Sequence, residues 1–205
     1  MTETNGASLK QMQKIASDRN DRLEGGFAWR MLDLLISFAA IIIFVFAIRA
    51  TVFEPVRVDG SSMLETLQHN DYLFVEKLSY AFTAPQKGDI VICYYPDEYY
   101  ASRGVDYKTR VKRVVATEGD TVEARDGKLY VNGLAADEPY LDSARARTER
   151  IDTPVTIGKG EVYVLGDNRI SSNDSRNELV GPIPIARIVG KAHFVVFPFD
   201  HWHGV

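Results

Sequence analysis

From Leu34 to Ile48 the chain carries no charge and is almost wholly apolar (LLISFAAIIIFVFAI). A rod of this kind must be buried somewhere along its whole circumference. The run alone is shorter than the roughly 20 residues that a spanning helix needs. Met31-Leu32 before it and Ala50-Thr51-Val52-Phe53 after it extend the stretch over residues 31–53, with Asp33 and Arg49 near its ends. Arg49 can carry its charge to an interface, and Trp29 stands where an interfacial aromatic is expected. Three fates compete. A core helix would need a covering that the β-rich remainder does not offer. A cleaved leader would have an unusually long charged start, and no small-x-small site follows cleanly. An uncleaved anchor fits best. Lys10, Lys14, Arg19, Arg22 and Arg30 precede the segment, and the stretch just after it is poorer in basic residues. That bias expects residues 1–30 as a cytoplasmic tail (flexible, or a loose helix), 31–53 as a single span, and 54–205 outside the membrane.

The rest reads as mainly β: a compact domain of antiparallel sheets. Short apolar or alternating runs recur at 72–76, 89–95, 110–117, 121–124, 128–131, 161–165 and 191–197. Turn dipeptides separate them, and Asp126-Gly127 between two such runs is a hairpin signal. Residues 134–158 are polar and of mixed charge, expected as a less regular insertion. The one cysteine, Cys93, lies in the apolar run at 89–95, so it reads as a buried strand residue rather than a nucleophile. A net charge of -4 leaves no basic face for nucleic acid. No phosphate loop or dinucleotide fingerprint occurs, and His201-Trp202-His203 supplies two metal ligands where a site needs more. No cofactor and no metal are expected.

Two serines follow the apolar segment, in Gly60-Ser61-Ser62-Met63. A serine hydroxyl attacks only when a base takes its proton. None of the four histidines has a spacing that suggests that base, which leaves lysine. A lysine serves only if burial lowers its pKa from about 10.4 to about 7–8. Lys112, in Arg110-Val111-Lys112-Arg113-Val114-Val115-Ala116, shares a strand face with Val114 and Ala116, while Arg113 falls on the other face. Spacing alone fits an ordinary exposed strand lysine better, and Lys77 is a rival beside Glu76. A third segment, residues 165–176, is dense in hydrogen-bonding side chains. It reads either as a polar surface loop or as a rigid support that orients a buried lysine and pairs Asp174 with Arg176.

These segments resemble type I signal peptidases, the membrane-bound Ser/Lys proteases that remove signal peptides from exported proteins. The resemblance rests on the anchor, Ser62-Met63 with Thr66-Leu67, Asp71-Tyr72, Glu76-Lys77, Lys112-Arg113-Val114-Val115 with Gly119-Asp120, Gly166-Asp167-Asn168-Arg169, and Ser172 with Asp174-Ser175-Arg176. It implies Ser62 as nucleophile, its backbone N–H as an oxyanion donor, and Lys112 as general base. Ser172 would position the lysine, Asp174 and Arg176 would form an ion pair, and Asp167 would support the loop. Val58, Met63, Leu67 and Val111 would line pockets for small substrate side chains. The implied partners are preprotein signal peptides, membrane lipid and the secretion machinery. Phe53, Tyr80 and Phe82 are candidates for an apolar rim that dips into lipid, although core packing explains them as readily.

Glu65 stands where the family pattern has proline, and Gly60 where some members have serine. The single span looks like the compact Gram-positive type. Two other readings compete: a self-cleaving Ser/Lys protein of the SOS-repressor kind, and a membrane-anchored β domain used only for binding.

Overall fold

The computed structural model describes residues 3–104, 108–142, 144, 146–149 and 151–205. The chain divides into two units, Met1–Arg49 and Ala50–Val205. Helix α1 (Glu3–Val52) takes up the described residues of the first, so of the two forms expected for the polar start the structure has the helix. Within it Trp29–Ile48 is long and apolar enough to cross a membrane, and none of that stretch is buried. Leu35, Phe38, Ile43 and Phe46 all lie open on its surface.

The helix stops one residue before the apolar run does. Phe53, expected inside the span, opens strand β1 (Phe53–Arg57). Pro55 supplies the reason: it disfavours helical backbone at the residue before it and has no N–H to donate. A proline fits at a sheet edge, and β1 is an edge strand.

The remaining strands are β2 (Tyr72–Glu76), β3 (Ile90–Cys93), β4 (Arg110–Thr117), β5 (Thr121–Arg125), β6 (Lys128–Val131), β7 (Leu134–Ala135), β8 (Ile151–Thr156), β9 (Glu161–Leu165), β10 (Ile183–Pro184), β11 (Ile188–Phe197) and β12 (His203–Gly204). The larger sheet runs β1-β2-β11-β3-β4-β9-β10, with β12 added on β11; the smaller runs β7-β6-β5-β8. Every pairing is antiparallel. The Asp126-Gly127 turn does join β5 to β6, with both residues at positive φ. The segment 134–158 is more regular than its composition suggests. It begins as β7 and returns as β8, which pairs with β5 despite Pro154. Two short helices, α2 (Ser79–Phe82) and α3 (Asp97–Arg103), complete the unit.

Three buried clusters hold these layers together. One gathers Val58, Met63, Leu67, Leu73, Val75, Ile90, Ile92, Ala192 and Val195 beneath the loop after β1. A second packs Val91, Cys93, Tyr95 and Val114 against α3 through Tyr99 and Tyr100. The third lies under the smaller sheet. A bulge between Val114 and Ala116 breaks the alternation expected of β4. Ala116 therefore joins Val115 in the third cluster instead of following Val114 into the second.

Candidate active site

The loop between β1 and β2 is closed at its base. Val58 N–H donates to Asp71 O at 2.8 Å, and Asn70 N–H returns to Val58 O at 3.0 Å. Inside it the chain turns tightly: Leu67 N–H donates to Met63 O at 2.8 Å. Gly60 has φ of +113°, in the region that favours glycine, which suits a residue without a side chain there. Met63 and Leu67 are fully buried and pin the turn to the core. Ser62 is left partly exposed at the loop's crest. Its N–H meets no acceptor among the described residues. Ser61 is exposed, as is Glu65.

Lys112 comes from the middle of β4, paired with Val91 of β3, and is 2 % exposed. Its Nζ lies 2.7 Å from Ser62 Oγ and donates to the carbonyl of Val111 at 2.9 Å. Burial pushes the Lys112 amine down to about 8, against the pull of Asp174. Arg110, a positive neighbour, pushes the same way, while Cys93 and Asp167 oppose it. The Cys93 thiol, buried in β3, is itself pushed up to about 12. Lys77 is elsewhere, 2.6 Å from Glu54 in an ion pair.

The segment after β9 reaches under both residues. Gly166 must be a glycine, because a Cβ there would lie 2.2 Å from Ser172 Oγ and 2.4 Å from Ser62 O. Its N–H donates to Asp174 Oδ2 at 3.0 Å. Arg176 Nε lies 2.8 Å from Asp174 Oδ1, and its Nη2 donates to the carbonyls of Arg169 and Ser172. Asp167 is buried between Arg113 (Nη2 to Oδ2, 2.7 Å) and Thr66, whose hydroxyl donates at 2.6 Å. Ser172 is next to the site, but its Oγ is buried and has no partner among the described residues. The hydrogen bond expected from it to Lys112 is replaced by that of Lys112 to Val111 O.

A cavity of about 390 Å³ opens beside Ser62 and Lys112, lined by Val58, Met63 and Val111. Leu67, expected with them, sits in the core beneath. Several residues at the site carried no individual warning in the sequence. Asn168 donates from its N–H to Ser62 O at 3.0 Å and from Nδ2 to Ser61 O at 2.9 Å. Arg113 donates to Asp167 and Gly88 O and lies 3.9 Å over the ring of Tyr140. Arg169, wholly buried, binds Gly166 O, Thr148 Oγ1 and Glu138, tying the insertion to the loop. Strand alternation set Arg113 opposite Lys112, and Asn168 stood in a dense polar run; nothing in either pattern names the partner.

Residues 31–197 match the family described as signal peptidase, peptidase S26, and the chain belongs to it. It is 36% identical over 199 residues to signal peptidase I of Bacillus amyloliquefaciens, covering 93% of this chain and 96% of that one. Signal peptidase I T of Bacillus subtilis is 40% identical over 161 residues, 75% of this chain and 78% of its own. Thylakoidal processing peptidase 1 of Arabidopsis thaliana is 37% identical over 196 residues, 88% of this chain; the chain spans about half of that relative's length (54%). The family and these relatives make the protein a serine endopeptidase of the signal peptidase I type, with an N-terminal apolar helix that fits membrane anchoring.

Proposed function

We propose that Ser62 and Lys112 form the catalytic dyad, and that the 2.7 Å approach of Nζ to Oγ is the observation that carries it. In the neutral amine one N–H is spent on Val111 O, which leaves the lone pair to face the serine hydroxyl. Oγ attacks the scissile carbonyl carbon as Nζ takes the hydroxyl proton. The oxygen that becomes negative is stabilised by Ser62 N–H. Collapse of the tetrahedral intermediate breaks the C–N bond, and the lysine ammonium returns the proton to the leaving amine. Water then attacks the acyl ester carbon as Lys112 takes its proton; the bond from that carbon to Oγ breaks, Lys112 gives the proton back to Oγ, and the signal peptide leaves with a new carboxylate. Asp174 and Arg176 fix the support loop, and Asp167 couples it to Thr66 of the nucleophile loop. Val58, Met63 and Val111 offer a small apolar wall for the residue before the cut.

The substrate is a preprotein delivered by the secretion machinery. The apolar part of α1 would hold the enzyme in the membrane, with 1–30 cytoplasmic and 54–205 outside, where signal peptides emerge. A ladder of aromatic rings supports lipid contact: Phe53 on Phe74 at 4.4 Å, Phe74 to Phe194 at 6.4 Å, Tyr72 to Phe197 at 6.0 Å, and Phe197 to Phe199 at 5.6 Å. Phe194, Phe197, Phe199 and Trp202 are exposed, and so is Phe82. Tyr80 instead packs on the core and donates to Asp89. Full-length protein in vesicles, given a preprotein, should cleave it once; Ser62→Ala and Lys112→Ala should leave it intact. Normal cleavage by Lys112→Ala would remove the dyad.

A further inference from the structure

The wall of the catalytic cavity carries six charged side chains: Glu54, Arg57, Asp59, Lys108, Arg110 and Lys112. Five already have an opposite charge or a hydrogen-bond partner in the protein. Glu54 is paired with Lys77 at 2.6 Å, and Asp59 with Lys108 at 4.0 Å. Arg57 Nε donates to Asn70 Oδ1 at 2.9 Å. Lys112 is engaged with Ser62 and Val111. Arg110 is the exception: among the described residues its guanidinium has no carboxylate and no hydrogen-bond acceptor. It lies loosely over the ring of Tyr95, 5.9 Å from the centroid.

Position makes this consequential. Arg110 and Lys112 are two apart on β4, so both side chains leave the same face of the strand. Arg110 is only partly exposed. A guanidinium that is half out of water and has five unused donors is a strong receptor for a carboxylate, which it can meet with two parallel hydrogen bonds. Two strand residues span about 7 Å, which is also two residues of an extended peptide lying along β4.

We propose that Arg110 is a specificity-determining residue that takes an Asp or Glu side chain of the preprotein within about two residues of the scissile bond. This rests on Ser62 being the attacking group, because the distance is counted from it. Among the described residues, the acidic side chain displaces no existing ion pair of Arg110. It also brings a compensating charge to a wall where Arg57, Lys108 and Arg110 outnumber Glu54 and Asp59. Discrimination between Glu and its neutral isostere Gln should then come from Arg110 and weaken as salt is added.

The test is a set of uncharged signal-peptide substrates in which Glu or Gln is placed, one position at a time, at the three residues on each side of the cut. With the full-length wild type, one position should show kcat/KM about tenfold higher for Glu than for Gln, as a charge-assisted hydrogen bond would give. In Arg110→Gln that ratio should fall to near one, and Arg110→Lys should recover part of it. No position in the wild type at which Glu exceeds Gln by twofold overturns the inference, and that arm needs no variant. An equal loss on both peptides in Arg110→Gln also overturns it, since the residue would then act only by packing on Tyr95 or through Lys112. If the wild type cleaves none of the peptides, the peptidase reading of Ser62 falls first and the inference with it.

Discussion

Asn168 grips the backbone of Ser62: its N–H donates to the Ser62 carbonyl at 3.0 Å while its side-chain amide holds the carbonyl of Ser61 at 2.9 Å. Ser62, the proposed nucleophile, is thus held by a residue more than a hundred positions away. Such a clamp fixes where Oγ and the Ser62 N–H point, and misplacement of either is costly to catalysis. Asn168→Ala keeps the backbone bond and loses the side-chain one, a change of about 1 kcal/mol in a neutral hydrogen bond. We expect kcat to fall about fivefold with KM little changed and the melting temperature nearly constant. Steady-state kinetics on one preprotein peptide checks this; a rise in KM at unchanged kcat would assign Asn168 to substrate binding instead.

The acid limb of activity should report Lys112. With its amine pushed down to about 8 by burial, the neutral base is the minor form at pH 7 and the major form above pH 8. kcat/KM should therefore climb about tenfold per unit well below pH 8 and level off above it. Arg110→Gln removes a positive neighbour that helps depress the amine, so its limb should move to higher pH. A profile flat from pH 6 to 10 would show that Lys112 is not the titrating base.

The same burial has a stability signature. Lys112 has a folded pKa of about 8 and an ordinary value of 10.5. Between these the unfolded chain binds a proton that the folded one does not, so stability rises with pH across that window. Below it both states are protonated, and the buried ammonium costs about 3 kcal/mol. Lys112→Met should thus be inactive yet more stable than wild type by about 2–3 kcal/mol at pH 7, the difference shrinking toward pH 10.5. Comparing denaturant midpoints of the two proteins at both pH values cancels the titration of all other groups. A variant less stable at pH 7 would mean that the lysine is a structural asset.

The aromatic ladder on β1, β2 and β11 gives a separate prediction. Trp202, exposed, is the one tryptophan of the second unit's sequence and so a natural fluorophore for it. With Trp29→Phe in place, vesicles of anionic and neutral lipid should shift its emission to the blue. An unchanged spectrum in the full-length, vesicle-bound protein would leave the ladder facing water.

Much of this was legible because strands announce themselves by period and turn. The runs at 72–76, 110–117, 128–131 and 161–165 fall where β2, β4, β6 and β9 begin and end. β8 was hidden because IDTPVT is polar, carries a proline, and is a strand only by pairing with β5. Ala116 went to the wrong face because a bulge is a property of two strands and cannot be read from one. At the site, resemblance selected Ser62 and Lys112, but residue types alone cannot show that they touch. The pairings Asn168–Ser61, Thr66–Asp167 and Arg169–Glu138 join residues far apart in the chain, and sequence spacing holds no trace of such contacts.

The tightest spot in the site yields the sharpest expectation. A methyl group on Gly166 would come within 2.4 Å of Ser62 O and 2.2 Å of Ser172 Oγ, with Ser172 Cβ at 2.6 Å. One of these contacts is the backbone of Ser62 itself, so relief requires the Ser62 loop to move. A shift of about 1 Å there is enough to lower the rate about a hundredfold. Gly166→Ala should lose about that much kcat, and the double change Gly166→Ala with Ser172→Ala should recover little, because Ser172 Cβ and Ser62 O both remain. Single-turnover cleavage of a preprotein peptide separates this loss from slow product release. Near-normal turnover in Gly166→Ala, or full recovery in the double variant, would mean that the loop bearing Ser62 is not fixed by this contact.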